Sequence, residues 1–127
     1  MPLVRISHPS GKTNDYANAL SKGVHTALVQ AFGIPEDDYF QIVTEHLTGK
    51  ELRYPENFLG IKHGKEVVFV QITAAEGRTV EQKKTLYKMI AELLNENADV
   101  PQSDVIINLV ETKKENWSFG NGVALFA

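Results

Sequence analysis

The chain repeats itself at a constant offset. GKT at Gly11–Thr13 returns as GRT at Gly77–Thr79, and IPEDD at Ile34–Asp38 returns as VPQSD at Val100–Asp104, in both cases 66 positions later. The same offset pairs Ile6 with Ile72, Leu20 with Leu86, Val24 with Ile90, Leu28 with Leu94 and Glu45 with Glu111. Such gapless self-similarity is the signature of a duplicated supersecondary unit, here about residues 2–46 and 68–112.

Each unit reads as β-α-β. Leu3–Ser7 and Val67–Thr73 are rich in branched apolar residues, which favours strands. A glycine turn follows. Tyr16, Leu20, Val24, Ala27, Leu28 and Ala31 then recur at helical spacing, as do Leu86, Ile90, Leu93 and Leu94. Thr79 with Gln82 predicts a capping box, and Gly33, Pro35 and Pro101 mark helix ends. Tyr39–Glu45 and Val105–Val110 read as closing strands. A right-handed crossover makes the strands of each unit parallel. Two such units predict an α/β, two-layer α+β domain: one mixed sheet with both helices on one face, spanning 1–127. The connector from about Leu47 to Lys65 carries Gly49, Pro55, Gly60 and Gly64, and predicts an irregular cover or a short hairpin. Helices on one face leave the other sheet face open. Phe69, Ile72, Val105, Ile107 and Leu109 predict apolar side chains on more than one face, hence an oligomer.

Composition narrows the function. Hydrophobic residues make up 43% of the 127, enough for a packed core, and the formal net charge of −3 disfavours a nucleic-acid partner. There is no cysteine, which excludes thiolate catalysis and zinc-thiolate sites. No apolar run is long enough for a membrane span and the first residues do not form a signal peptide, so a cytoplasmic protein is expected. SGKT at Ser10–Thr13 lacks the earlier glycine of a phosphate-binding loop, because that position is Ile6. His8, His25, His46 and His63 have no metal-ligand spacing, and no metal or cofactor is expected.

Four residues, Pro2, Asp38, Lys12 and Arg78, carry candidate chemistry. Pro2 stands at a strand entrance, where a residue without an N–H is tolerated. Its counterpart is Val68, so the unit does not require proline there; if Met1 is removed, Pro2 becomes a secondary amine on a rigid ring. Asp38 and its counterpart Asp104 each follow a proline by three residues, and ordering a turn before a strand would explain them equally well. Lys12 and Arg78 both stand just before a helix, where a cation is disfavoured by the macrodipole unless an anion is expected nearby.

With these residues in place the chain resembles the tautomerase superfamily. AFGIPEDDYFQIVTEH (Ala31–His46), VVFVQITAAEGRTVEQKKTLY (Val67–Tyr87) and NWSFGNGVALF (Asn116–Phe126) resemble its malonate semialdehyde decarboxylase group. The resemblance implies a homotrimer acting on a small carboxylate substrate, with Met1 removed and Pro2 as the catalytic amine. It further implies Asp38 and Arg78 as catalytic partners, Arg78 as a carboxylate-binding cation, and Trp117, Phe119 and Phe126 as an apolar wall; Lys12 joins Arg78 as a substrate-binding candidate by its own place before a helix, not by the resemblance. A second arginine of the decarboxylases falls at or near Ala75. Two chemistries therefore stay open. A free α-amino group titrates at about 7.7–8.0; a nearby cation lowers this and makes a base for keto–enol tautomerisation. A nearby carboxylate raises it and makes an acid for decarboxylation or hydration. The opposing reading is a non-catalytic, ferredoxin-like trimeric ligand sensor, since that fold shares the β-α-β-β-α-β order.

Overall fold

The computed structural model describes residues 2–127, and Met1, including its expected removal, lies outside the described residues. The repeat is written into the element boundaries. Strand β1 (Pro2–Pro9) and helix α1 (Asn14–Phe32) have their counterparts in the fifth strand, β5 (Val68–Ala75), and helix α2 (Val80–Ala98), each shifted by 66 residues at both ends. Strand β2 (Gln41–His46) closes the first unit and β6 (Val105–Thr112) the second. The connector contains a two-residue-per-strand hairpin, β3 (Asn57–Phe58) with β4 (Ile61–Lys62).

The four long strands form one sheet in the order β2-β1-β5-β6. β1 runs parallel to β2, β5 runs parallel to β6, and the two units meet antiparallel through β1 and β5. Alternation decides which side is buried. Val4 and Ile6 of β1, with Val68, Val70 and Ile72 of β5, point to the helices and are at most 1% exposed. They pack with Leu20, Val24 and Leu28 of α1 and Leu86, Ile90 and Leu94 of α2 in one core. Burying each such side chain contributes roughly 1.5–3 kcal/mol. Gly23 brings α1 close to α2, since a Cβ there would sit 3.0 Å from Leu94 Cδ2.

Caps repeat as well. Thr13 Oγ1 accepts from the Tyr16 N–H at 3.1 Å, and Thr79 with Gln82 forms the complete capping box. Gly33 ends α1 at φ 67°, and Asp99, at the equivalent position, takes the left-handed conformation at φ 56°.

The five apolar residues expected on more than one face do divide between the two faces, with Phe69 alone on the open one. Ile72, Val105, Ile107 and Leu109 belong to or pack against the helix-side core. The open face instead carries apolar Leu3, Ile42, Phe69 and Val110 around a polar cross-strand row of Arg5, Gln71 and Asn108. It is a mixed surface, not a uniformly apolar one. β2 also begins later than expected: the Tyr39 N–H is used in the preceding turn, donating to Asp37 O at 3.0 Å, and the Tyr39 hydroxyl hydrogen-bonds Ser21 of α1.

Candidate active site

Pro2 is the first residue of β1, buried, and paired across the sheet with Ala74. Two loops come to this end of the sheet. The first runs from Ile34 to Phe40 and bonds β1 directly, Val4 N–H donating to Phe40 O at 3.0 Å. It is pinned to α1 at three points: His25 Nε2 donates to Glu36 O at 2.9 Å, Tyr39 reaches Ser21, and Gln41 Nε2 donates to Ser21 O at 3.1 Å. Asp38 sits in the turn of this loop, its own N–H donating to Pro35 O at 3.1 Å. The second loop joins β5 to α2 and carries Arg78. Its Nη1 donates to Ala75 O at 3.0 Å, and the guanidinium lies over the Phe32 ring, 4.9 Å from its centroid. Arg78 lines a cleft of about 340 Å³ with Glu76, Gln82 and Lys114. Pro2 is not among that cleft's lining residues, but its cross-strand partner Ala74 is one residue from the Ala75 carbonyl that holds the guanidinium.

On the open side of the same end lies a cavity of about 530 Å³, lined by Leu3, Phe40, Thr73, Thr112, Trp117 and Phe119 among others. Its wall is continuous. Trp117 stacks on Phe119 at 5.4 Å with planes 6° apart, Phe40 packs on Phe119 at 5.1 Å, and Phe126 meets Phe119 edge-on at 6.3 Å. Trp117 Nε1 donates to Thr112 Oγ1 at 2.7 Å.

Pro2, the Asp38 turn, Arg78 and the wall of Trp117, Phe119 and Phe126 thus share one end of the sheet. Lys12 does not, and its expected place beside Pro2 is corrected. It follows the far end of β1, and a strand of this length rises about 3.3 Å per residue, so roughly 20 Å or more separates the two. There Lys12 pairs with Glu66 at 2.6 Å and lies over the Tyr16 ring, 5.3 Å from its centroid. Burial, with Glu66 adding a smaller effect, pushes the Tyr16 phenol up to about 12. The anion that balances Lys12 is therefore a residue of its own chain.

Asp104, the counterpart of Asp38, is 1% exposed and accepts from the N–H groups of Gly64 at 2.7 Å and Glu66 at 3.1 Å. In the second unit the aspartate therefore clamps the backbone that enters β5. Phe40 and Thr112 had no signal of their own in the sequence. Phe40 stands inside the DDYFQ stretch, and Thr112 ends a strand five residues before the tryptophan.

Comparisons with known proteins bear on the family and the fold. Two family models, both described as tautomerase enzyme, match residues 38–120 and 2–58. The probable tautomerase YusQ of Bacillus subtilis is 36% identical over 98% of this chain and 97% of its own. A malonate semialdehyde decarboxylase structure, described as a basis for decarboxylase and hydratase activities, superposes with a TM-score of 0.88 at 32% identity. It covers 98% of this chain and 95% of that one. A fused 4-OT described as a symmetric trimer shares the fold, with a TM-score of 0.79 at 24% identity over 98% and 97% of the two chains.

Proposed function

The chain belongs to the tautomerase family, and on that footing we propose that it is a cofactor-independent enzyme for small oxo and enol carboxylic acids, with Pro2 as its acid–base group once Met1 is removed. The observation that carries this reading is the convergence of Pro2, the Asp38 turn, Arg78 and an aromatic cavity at one end of one sheet. The tautomerase family takes the place of the ligand-sensing alternative.

The chemistry follows from the neighbours of the amine. Arg78 spends one N–H on Ala75 O and has further donors in its planar fork for a substrate carboxylate. A carboxylate bound there brings the carbon beside the substrate carbonyl toward Pro2. The neutral amine removes a proton from that carbon and returns it elsewhere, while the guanidinium offsets the enolate charge. Asp38 favours the cationic amine and so the acid chemistry. A carboxylate near the amine raises its pKa. Ala75, at or near the second arginine of the decarboxylases, weakens the decarboxylase geometry, and keto–enol tautomerisation is the favoured reaction.

A panel of enol and oxo acids followed by absorbance tests this. The mature protein is expected to turn over at least one of them, and Arg78→Ala to raise KM, lower kcat and cost roughly 10- to 100-fold in kcat/KM. Turnover of none, or full activity in Arg78→Ala, would remove the reading.

We also propose a homotrimer. The mixed open face, the exposed hairpin residues Phe58, Leu59 and Ile61, and the trimeric neighbour support it. Light scattering should give three times the 14.1 kDa chain mass. A stable monomer at micromolar concentration would refute it.

A further inference from the structure

We propose that Thr112 is a positioning residue whose hydroxyl sets the orientation of the Trp117 indole, and with it the fit of the substrate's apolar part. The inference rests on the proposed enzymatic reading of the same site.

The argument begins with a chain of hydrogen bonds. Trp117 Nε1 donates to Thr112 Oγ1 at 2.7 Å, and Thr112 Oγ1 donates onward to Ala74 O at 3.3 Å. A hydroxyl has one proton to give and lone pairs to accept with, so both bonds form at once and each fixes the other's direction. Ala74 is the cross-strand partner of Pro2. The indole is therefore referenced, through one hydroxyl, to the strand that flanks the proposed catalytic amine.

The rest of the wall has no such handle. Its other rings, Phe40, Phe119 and Phe126, carry no polar atom, and stacking alone tolerates sliding and rotation. Trp117 lies flat on Phe119, which in turn touches both Phe40 and Phe126. A turn of the indole would therefore disturb Phe119 and, through it, Phe40, both of which line the 530 Å³ cavity.

The repeat supplies a comparison inside the same chain. The strand ends match: Ser10 N–H donates to His46 O and Glu76 N–H donates to Thr112 O, both at 2.8 Å. Beyond those ends the copies diverge. Residues 66 positions before Thr112 and Trp117 are His46 and Glu51, whose Nδ1 and Oε2 approach to 3.6 Å. Only the second unit couples a hydroxyl to an indole, and only that copy lies at the Pro2 end.

The test uses Thr112→Val, which keeps the β-branched shape suited to a strand but removes the hydroxyl, and Thr112→Ser, which restores it. Trp117 is the single tryptophan of the chain, so intrinsic fluorescence reads its environment directly. Thr112→Val is expected to shift the emission maximum and alter acrylamide quenching. It should raise KM for an enol-acid substrate about threefold to tenfold while kcat stays within about twofold, as loss of one positioning hydrogen bond would do. Thr112→Ser should return both readouts toward the wild type. Wild-type fluorescence in Thr112→Val, or altered fluorescence with unchanged KM, would overturn the proposal. If the wild-type protein turns over no acid of the panel, the enzymatic reading fails. The fluorescence of the two variants then still decides whether Thr112 holds the indole.

Discussion

Replacing Pro2 by alanine is expected to leave the fold intact and to lower turnover by about 10²- to 10⁴-fold, the usual contribution of a positioned acid–base group. The fold should survive because Val68 begins β5 at the equivalent position, so a strand entrance of this unit needs no proline. Activity should not survive, because alanine offers a primary amine with more rotational freedom and a different basicity. Retention of Met1 should be as damaging as the substitution: an acylated proline nitrogen is an amide, with no proton to give and no basic lone pair. Mass spectrometry of active protein should therefore show a chain that begins at Pro2. Circular dichroism and thermal melting of Pro2→Ala should match the wild type. Full turnover from protein proven to carry Met1 would leave Pro2 with only its role at the strand entrance.

The opposite pattern, a large loss of stability, is expected at Asp104. Its buried carboxylate holds the N–H groups of Gly64 and Glu66 just before β5. Asp104→Ala removes both bonds and strands two partly buried donors. Hydrogen bonds to a charged group contribute ~1.5–3 kcal/mol each, so a loss of about 3–6 kcal/mol is expected for the two. Against a typical total of ~5–15 kcal/mol this is severe, and Tm should fall by roughly 10–15 °C. Asp104→Asn, which keeps one carbonyl acceptor, should lose about half as much. A Tm for Asp104→Ala within about 3 °C of the wild type would show that the connector enters β5 without this clamp.

These two experiments set the duplicated aspartates and strand entrances against each other, and the contrast explains what was legible beforehand. The periodicity of Leu20, Val24 and Leu28, and of Leu86, Ile90 and Leu94, identifies both helices, because a helix must bury one stripe and these residues form it. The offset between the GKT and GRT segments identifies two copies of one unit, and the boundaries of β1, α1, β5 and α2 obey it at both ends. Trp117, Phe119 and Phe126 were expected as a group through the family resemblance of the NWSFGNGVALF stretch, not through their spacing.

The proposed pairing of Pro2 with Arg78 was legible through the family resemblance but not in the repeat. The repeat is symmetric in sequence, so nothing in it says which unit's cation serves which unit's strand entrance, and Lys12 and Arg78 stand as equals. The antiparallel meeting of β1 with β5 breaks that tie. It lays the end of β5 beside the start of β1, pairing Ala74 with Pro2 and bringing Arg78 across from the other unit. The same geometry carries Lys12 to the far end, where Glu66 neutralises it. Thr112 and Phe40 were hidden for a related reason. Each becomes part of the cavity only when strands distant in sequence lie side by side, with Phe40 beside β1 and Thr112 beside β5. The sequence by itself determined the elements, their duplication and the kinds of chemistry available. Which residues stand next to one another was decided by strand pairing, because only the register that buries Val4, Ile6, Val70 and Ile72 together keeps the core out of water.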